Sequence, residues 1–243
     1  MPNADSVLTV AKVGKKFGSK TVLEDITLEV QPGETFGLLG PSGSGKTTLV
    51  KLLSGIDQAT SGQVHVFGKL MPQLSLMKQI GYMAQSDALY TELSALENLQ
   101  FFAAIYGLKG TKRRQRITEV MDIVGLSEHL HKRVAQYSGG MKRRLSLAIS
   151  LLHEPPLLIL DEPTVGIDPL LRQSIWTELK SLNSRGTTIV MTTHVMDEAE
   201  KCNRLGMIRD GRLLAVDTPE ALIQSASKNS LEEAFIYYGG GQS

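Results

Sequence analysis

The sequence predicts an α/β fold: a mainly parallel sheet core, an antiparallel β subdomain at the N-terminal end and an α-helical subdomain inserted in the middle. Three observations carry that prediction. Within residues 35–53 a glycine-rich loop separates a short, mostly apolar run from a run of helix-favouring residues. Helical spacing dominates residues 86–154. From Pro156 onward, apolar runs alternate with helix starts, the pattern of a parallel sheet flanked by helices.

Residues 7–10 and 21–30 are β-branched and partly alternating, and Gly18-Ser19-Lys20 precedes the second run, so the chain opens with an antiparallel hairpin. Residues 35–39 read as a strand and 47–53 as a helix, with further strands at 63–67 and 79–83. In the helical segment, Ser94 and Glu97 stand at capping-box spacing, with Leu96, Leu99, Phe102 and Ala103 on one face. Gly125 closes a second helix. Residues 157–160, 187–192, 205–208 and 212–216 read as strands, and helices follow Asp168-Pro169, His194 and Thr218-Pro219. Asp168 and Thr218 suit the N-cap, with proline at the first helical position. Trp176, with Ile175 and Leu179, is expected to pack on the sheet, and Gly239-Gly240-Gly241-Gln242-Ser243 to fray.

Composition narrows the functional classes. Apolar residues at 42% and charged residues at 21% suit a folded core rather than disorder. Lys and Arg number 26 against 25 Asp and Glu, for a net charge of +1, which provides no global field to draw nucleic acid, so none is expected as a partner. Cys202 is the only cysteine, which excludes an internal disulfide or a multi-cysteine metal site; it reads as a small buried thiol in a reducing compartment. Residues 1–6 lack a signal-peptide pattern, and the apolar runs at 147–152 and 157–160 fall far short of the roughly 20 residues that span a bilayer. Any membrane is therefore expected to be served from outside the lipid.

Gly40-Pro41-Ser42-Gly43-Ser44-Gly45-Lys46-Thr47 fits G-x-x-x-x-G-K-[ST] in the strand-to-helix context the motif requires. Its glycines let consecutive N–H groups turn inward to meet an anion, reinforced by the helix N-terminus. The loop thus points to ATP and Mg²⁺: Lys46 toward the β and γ phosphates, Thr47 toward the metal, Thr48 toward the α phosphate. A plain flexible glycine turn would not need that context. The fold class sharpens to a P-loop NTPase.

The apolar run at 157–160 reads as a buried central strand and delivers Asp161 and Glu162 at its C-terminal end. Alone, such a pair is as readily a solvated strand end; with the loop upstream, one carboxylate can serve the magnesium shell while the other faces water. Tyr137-Ser138-Gly139-Gly140-Met141-Lys142-Arg143-Arg144 could by itself be an N-cap followed by a basic helical turn. Together these three elements resemble the ATP-binding subunits of ABC transporters. Phe17, Gln85, Asp168 and His194 stand in the order that family shows, and the resemblance covers roughly residues 8–216. Gly166-Ile167-Asp168-Pro169 and residues 230–235 look most like the ABC-2 type exporter ATPases of bacteria and archaea.

The resemblance implies a single domain, 1–243, with a catalytic core and β subdomain at 1–85 and 156–243, a helical subdomain at 86–155 and a short C-terminal extension at 218–243. It implies a head-to-tail pair of subunits, identical or close paralogues. In that pair Ser138, Gly139 and Gly140 would meet the γ phosphate held on the opposite subunit, and Asp168 would lie on the contact loop. Glu162 would orient or deprotonate the attacking water, aided by Lys46. His194 would contact the γ phosphate or steady Glu162, and Thr47, Asp161 and Gln85 would serve the metal. Phe17 stands where the family usually stacks a tyrosine on adenine; it keeps the ring face and lacks the hydroxyl. A separate permease would be met by about residues 86–102 and would hold the subunit peripherally at the cytoplasmic face of the membrane. A second class, an ATP-driven switch of DNA repair or translation, usually carries paired ATPase units, long coiled coils or zinc modules, which this sequence lacks. His65, His129, His131 and His153 receive no chemistry. Lys109, Lys112, Arg113, Arg114 and Arg116 read as a solvated helix face rather than a site for RNA, lipid headgroups or an acidic partner. The transported molecule would meet the permease, so it is not written in this chain.

Overall fold

The computed structural model describes residues 6–86 and 88–240. β1 (Leu8–Phe17) and β2 (Lys20–Val30) form the expected hairpin. β1 runs on to Phe17, past the apolar run that marks its start, through register shifts that turn Val13 and Lys15 inward. Lys15 is satisfied there by Asp57, with Nζ to Oδ1 at 2.6 Å. β3 (Thr35–Leu39) leads to α1 (Lys46–Leu53), followed by β4 (Ser61–Val66) and the short β5 (Lys69–Leu70). An antiparallel four-stranded sheet runs β2-β1-β4-β5.

β6 (Ile80–Met83) precedes three helices, α2 (Ala95–Ile105), α3 (Gly110–Ile123) and α4 (Gly139–Leu151). α2 begins with the reciprocal bonds the sequence suggests: Ser94 Oγ accepts from Glu97 N at 3.2 Å, and Glu97 Oε2 accepts from Ser94 N at 2.7 Å. The chain then alternates through β7 (Leu157–Asp161), α5 (Pro169–Ser184), β8 (Thr188–Thr193), α6 (Met196–Ala199), β9 (Arg204–Arg209), β10 (Arg212–Asp217), α7 (Pro219–Ser225) and α8 (Leu231–Tyr238).

The second sheet has the order β10-β9-β3-β8-β7-β6, parallel except at β10. The sequence predicts a mainly parallel sheet, and the antiparallel β9–β10 pair at one edge is compatible with that expectation. Only Asp210 and Gly211 join β9 to β10, too little chain for a crossover. The helix expected after His194 is a single turn, because Asn203 must return to β3, where its Oδ1 accepts from Thr35 N at 2.8 Å. β3, β7 and β8 are buried at every residue, which is why they read as near-continuous apolar runs. Trp176 and Cys202 are buried, as expected. Gly239 O accepts from Arg209 Nη1 at 3.0 Å, so the start of the glycine tail is held; residues 241–243 and the first five residues lie outside those described. Among the described residues no helix is long and apolar enough to cross a membrane.

The topology gathers the candidate residues. β3 lies between β9 and β8, with Leu39 opposite Thr193, and β7 lies beside β8, with Asp161 opposite Thr192. The segments beginning at Gly40, Glu162 and His194 therefore leave the sheet at one carboxyl edge, where α/β folds bind ligands.

Candidate active site

The loop between β3 and α1 is shaped by glycines that no other residue could replace. A Cβ on Gly40 would stand 2.2 Å from the Ile208 carbonyl oxygen. Gly45 has φ +104° and immediately precedes α1, which lacks a side-chain cap. Its first N–H groups thus face the loop without a capping side chain, a setting for an anion. Lys46 is 4% exposed and donates from Nζ to the carbonyls of Gly40 at 2.7 Å and Pro41 at 3.0 Å. Burial lowers its pKa, an effect that the carboxylates of Glu162 and Asp161 oppose. Ser42, Gly43, Gly45, Lys46, Thr47 and Thr48 line a cleft of about 250 Å³ together with Val22, Gln85 and Glu162. Ser44 is buried beneath it, its Oγ without a hydrogen-bond partner among the described residues.

The two carboxylates part company at the end of β7. Asp161 is fully buried; its Oδ1 accepts from Thr192 Oγ1 at 2.6 Å, and its Oδ2 has no partner among the described residues. Glu162 turns into the cleft with φ +52°, a left-handed conformation that a non-glycine residue rarely adopts. Its N–H donates to Thr192 Oγ1 at 2.9 Å. Its Oε1 lies 3.8 Å from Lys46 Nζ and 3.2 Å from His194 Nδ1. The residue before that histidine is braced too: Thr193 Oγ1 donates to Glu198 Oε2 at 2.7 Å, and Thr164 Oγ1 donates to the other oxygen of the same buried carboxylate.

The other sequence candidates, Gln85 apart, lie outside that cleft. Ser138 caps α4, its Oγ accepting from Met141 N at 3.2 Å, and Gly139 and Gly140 open that helix. None of the three lines the Lys46 cleft of the same chain. A Cβ on Gly140 would approach the Gly166 carbonyl to 3.2 Å, so the start of α4 abuts the loop that leads to Asp168. Asp168 caps α5, with Oδ1 accepting from Leu171 N at 3.0 Å. Phe17 is exposed, and Lys15 Nζ sits 4.8 Å from its ring centroid. Gln85 follows β6 by two residues and lines the cleft. Sequence reasoning passed over two residues at this edge. Thr192 holds both acidic positions, and Arg143 reaches from α4 to the backbone of Gln85 and Glu162. The available signals were a threonine pair ending an apolar strand and a basic residue within a buried helix.

The profile of the ABC transporter family matches residues 23–165. The chain is 40% identical over 239 residues to a probable multidrug ABC transporter ATP-binding protein of Escherichia coli K12, covering 96% of this chain and 41% of that protein. It thus spans less than half the length of that relative. It is 41% identical over 223 residues to a Nod factor export ATP-binding protein of Cupriavidus metallidurans, covering 90% and 74%. A linearmycin resistance ATP-binding protein of Bacillus subtilis is 40% identical over 241 residues, covering 95% and 78%. Among solved structures, the ATP-binding subunit of an ABC transporter superposes with a TM-score of 0.89 at 28% identity, over 96% of this chain and all of that one. A dimeric, post-hydrolysis ATP-binding cassette bound to ADP and Pi gives 0.81 at 29% identity, over 87% and 98%.

Proposed function

The chain belongs to the ABC transporter family, and on that footing we propose that it binds and hydrolyses ATP to drive a membrane exporter. The observation that carries this reading is the meeting of Lys46, Asp161, Glu162 and His194 beside one glycine loop, with Glu162 Oε1 at 3.8 Å from Lys46 and 3.2 Å from His194. The names of the relatives, multidrug, Nod factor export and linearmycin resistance, support export rather than import.

In this reading the backbone N–H groups from Ser42 to Thr48, at the start of α1, hold the phosphates, and Lys46 exchanges the loop carbonyls for β and γ phosphate oxygens. Thr47, the unpartnered Oδ2 of Asp161 and Gln85 form an oxygen donor set that fits Mg²⁺. When bound, that ion would neutralise charge on the phosphates. Glu162 accepts a proton from the attacking water and is held in place by His194. Phe17 offers a ring face to adenine. Ser138, Gly139 and Gly140 of a second subunit, identical or a close paralogue, close over the nucleotide, with Asp168 near the contact. Residues 86–155 act as the helical subdomain, 1–85 and 156–243 as the catalytic core, and 218–243 as its extension. A separate permease holds the subunit at the cytoplasmic face of the membrane.

The test is Glu162→Gln. Losing the general base should lower steady-state turnover by about 10²- to 10⁴-fold while nucleotide binding persists. The slow, ATP-loaded variant, with its natural partner, should elute as a dimer in size-exclusion chromatography. Undiminished turnover refutes the role of Glu162, and an ATP-loaded monomer refutes the shared site.

A further inference from the structure

We propose that Arg143 is a positioning residue for hydrolysis. Its guanidinium ties the helix that begins beside Ser138 to the backbone of Gln85 and Glu162, so that the attitude of α4 sets where the Glu162 carboxylate stands. This rests on the reading of Glu162 as the group that activates water.

Arg143 is the fifth residue of α4 and is 7% exposed. Its Nη1 donates to the carbonyls of Ala84 at 2.6 Å and Gln85 at 2.8 Å. Its Nη2 donates to the Glu162 carbonyl at 2.7 Å and also to that of Asp161. These four oxygens have a common origin. β6 and β7 run side by side in parallel, and their last paired residues are Met83 and Leu160. Just past that rung the two chains separate, and one guanidinium gathers the carbonyls they present. Arginine suits the task because its planar fork carries five donors and stays charged, whereas lysine offers one point charge.

The consequence falls on Glu162. A left-handed φ of +52° persists at a non-glycine residue only when the surroundings over-determine it. Here the N–H is fixed from β8 by Thr192 at 2.9 Å and the carbonyl is fixed from α4 by Arg143 at 2.7 Å. One anchor belongs to the sheet and the other to the helical segment. A tilt of α4 would therefore shift Gln85 and Glu162 together. A displacement of about 1 Å in a reacting group can cost on the order of 10²-fold in rate.

The experiment compares the unaltered chain with Arg143→Met, Arg143→Lys, Glu162→Gln and the double variant Arg143→Met/Glu162→Gln. It measures kcat and KM for MgATP, and equilibrium binding of a fluorescent non-hydrolysable ATP analogue. Arg143→Met should lower kcat by about 10- to 100-fold, with KM and analogue affinity within about twofold of the unaltered chain. Arg143→Lys should fall between the two. The double variant should lose far less relative to Glu162→Gln than Arg143→Met loses relative to the unaltered chain, since only the hold on Gln85 then remains to be broken. If Glu162→Gln loses turnover and Arg143→Met keeps an unaltered kcat, the role of Arg143 is overturned alone. If Glu162→Gln stays active, the reading beneath it fails instead. Should Arg143→Met not bind the analogue, Arg143→Lys decides: reduced kcat at intact affinity supports the proposal, and unchanged kcat overturns it. Loss of affinity in both Arg143 variants also overturns it, in favour of a purely structural role.

Discussion

Thr192→Val would remove one hydroxyl from the fully buried end of β8 while nearly preserving shape. That hydroxyl makes two bonds, donating to Asp161 Oδ1 at 2.6 Å and accepting from Glu162 N at 2.9 Å. A hydrogen bond to a charged group contributes about 1.5–3 kcal/mol and a neutral one about 0.5–1.5 kcal/mol, so the variant should lose about 2–4.5 kcal/mol. For a chain of 243 residues the entropy of unfolding is about 0.5 kcal/mol/K, which converts this loss to a Tm drop of about 4–9 °C. Thr192→Ser keeps both bonds and gives up a methyl group, about 1 kcal/mol or about 2 °C. Turnover should follow the same order. Without its N–H anchor Glu162 loses its attitude, and kcat of the valine variant should fall by about 10- to 100-fold, while the serine variant retains most of it. Thermal unfolding by circular dichroism and a coupled ATPase assay on the three proteins provide the measurement. A valine variant that melts within about 2 °C of the unaltered chain, or a serine variant as impaired as valine, refutes the argument.

Two titratable groups outside the site, the half-buried His153 and the buried Cys202, give further tests. His153 stacks on Tyr106 with ring centroids 3.7 Å apart, and burial, helped by nearby Arg116, pushes its pKa from 6.5 down to about 4. Between those values the unfolded chain takes a proton that the folded chain refuses, so this contribution is intact above about pH 6.5 and is lost as pH falls toward 4. The urea midpoint should therefore decline more steeply between those pH values in the unaltered chain than in His153→Gln, and equal slopes would count against it. The Cys202 thiol, pushed up to about 12 by burial and by the Glu198 carboxylate, has almost no thiolate at pH 8. Iodoacetamide should leave it unmodified in the folded protein and label it after denaturation. Rapid labelling of the folded chain, read by mass spectrometry, would contradict the burial.

The sequence was most legible where a single local requirement dictates the residues. Leu157 to Leu160 had to be apolar because both faces of β7 are covered, and Ser94 with Glu97 had to be polar because a helix starts there. The glycine loop was legible for the same reason, since Gly40, Gly45 and Lys46 meet within seven residues of one another. Where the sequence left the arrangement open, two structures share one pattern. An apolar run such as Arg212–Asp217 looks alike in a parallel or an antiparallel strand, and only the brevity of the Asp210-Gly211 link distinguishes them. A helix after His194 was legible, but its length of one turn was not, because the demand of Asn203 on Thr35 lies 168 residues away in sequence.

The same distinction separates the identity of the proposed catalytic group from its geometry. The Asp161-Glu162 pair could be singled out because it closes an apolar strand downstream of a phosphate loop, which is a statement about order along the chain, and the resemblance to ABC ATP-binding subunits then implied the role of Glu162. Its attitude depends on Thr192, 30 residues away on β8, and on Arg143, 19 residues back on α4. Neither residue carries a motif that names this duty, because the duty exists only once β7 lies between β6 and β8. A carboxylate held from the sheet on one side and from a helix on the other can respond to movement of that helix, whereas one held from the sheet alone would not. The conformation at Glu162 is thus the point where the local chemistry of the loop and the nonlocal packing of α4 meet.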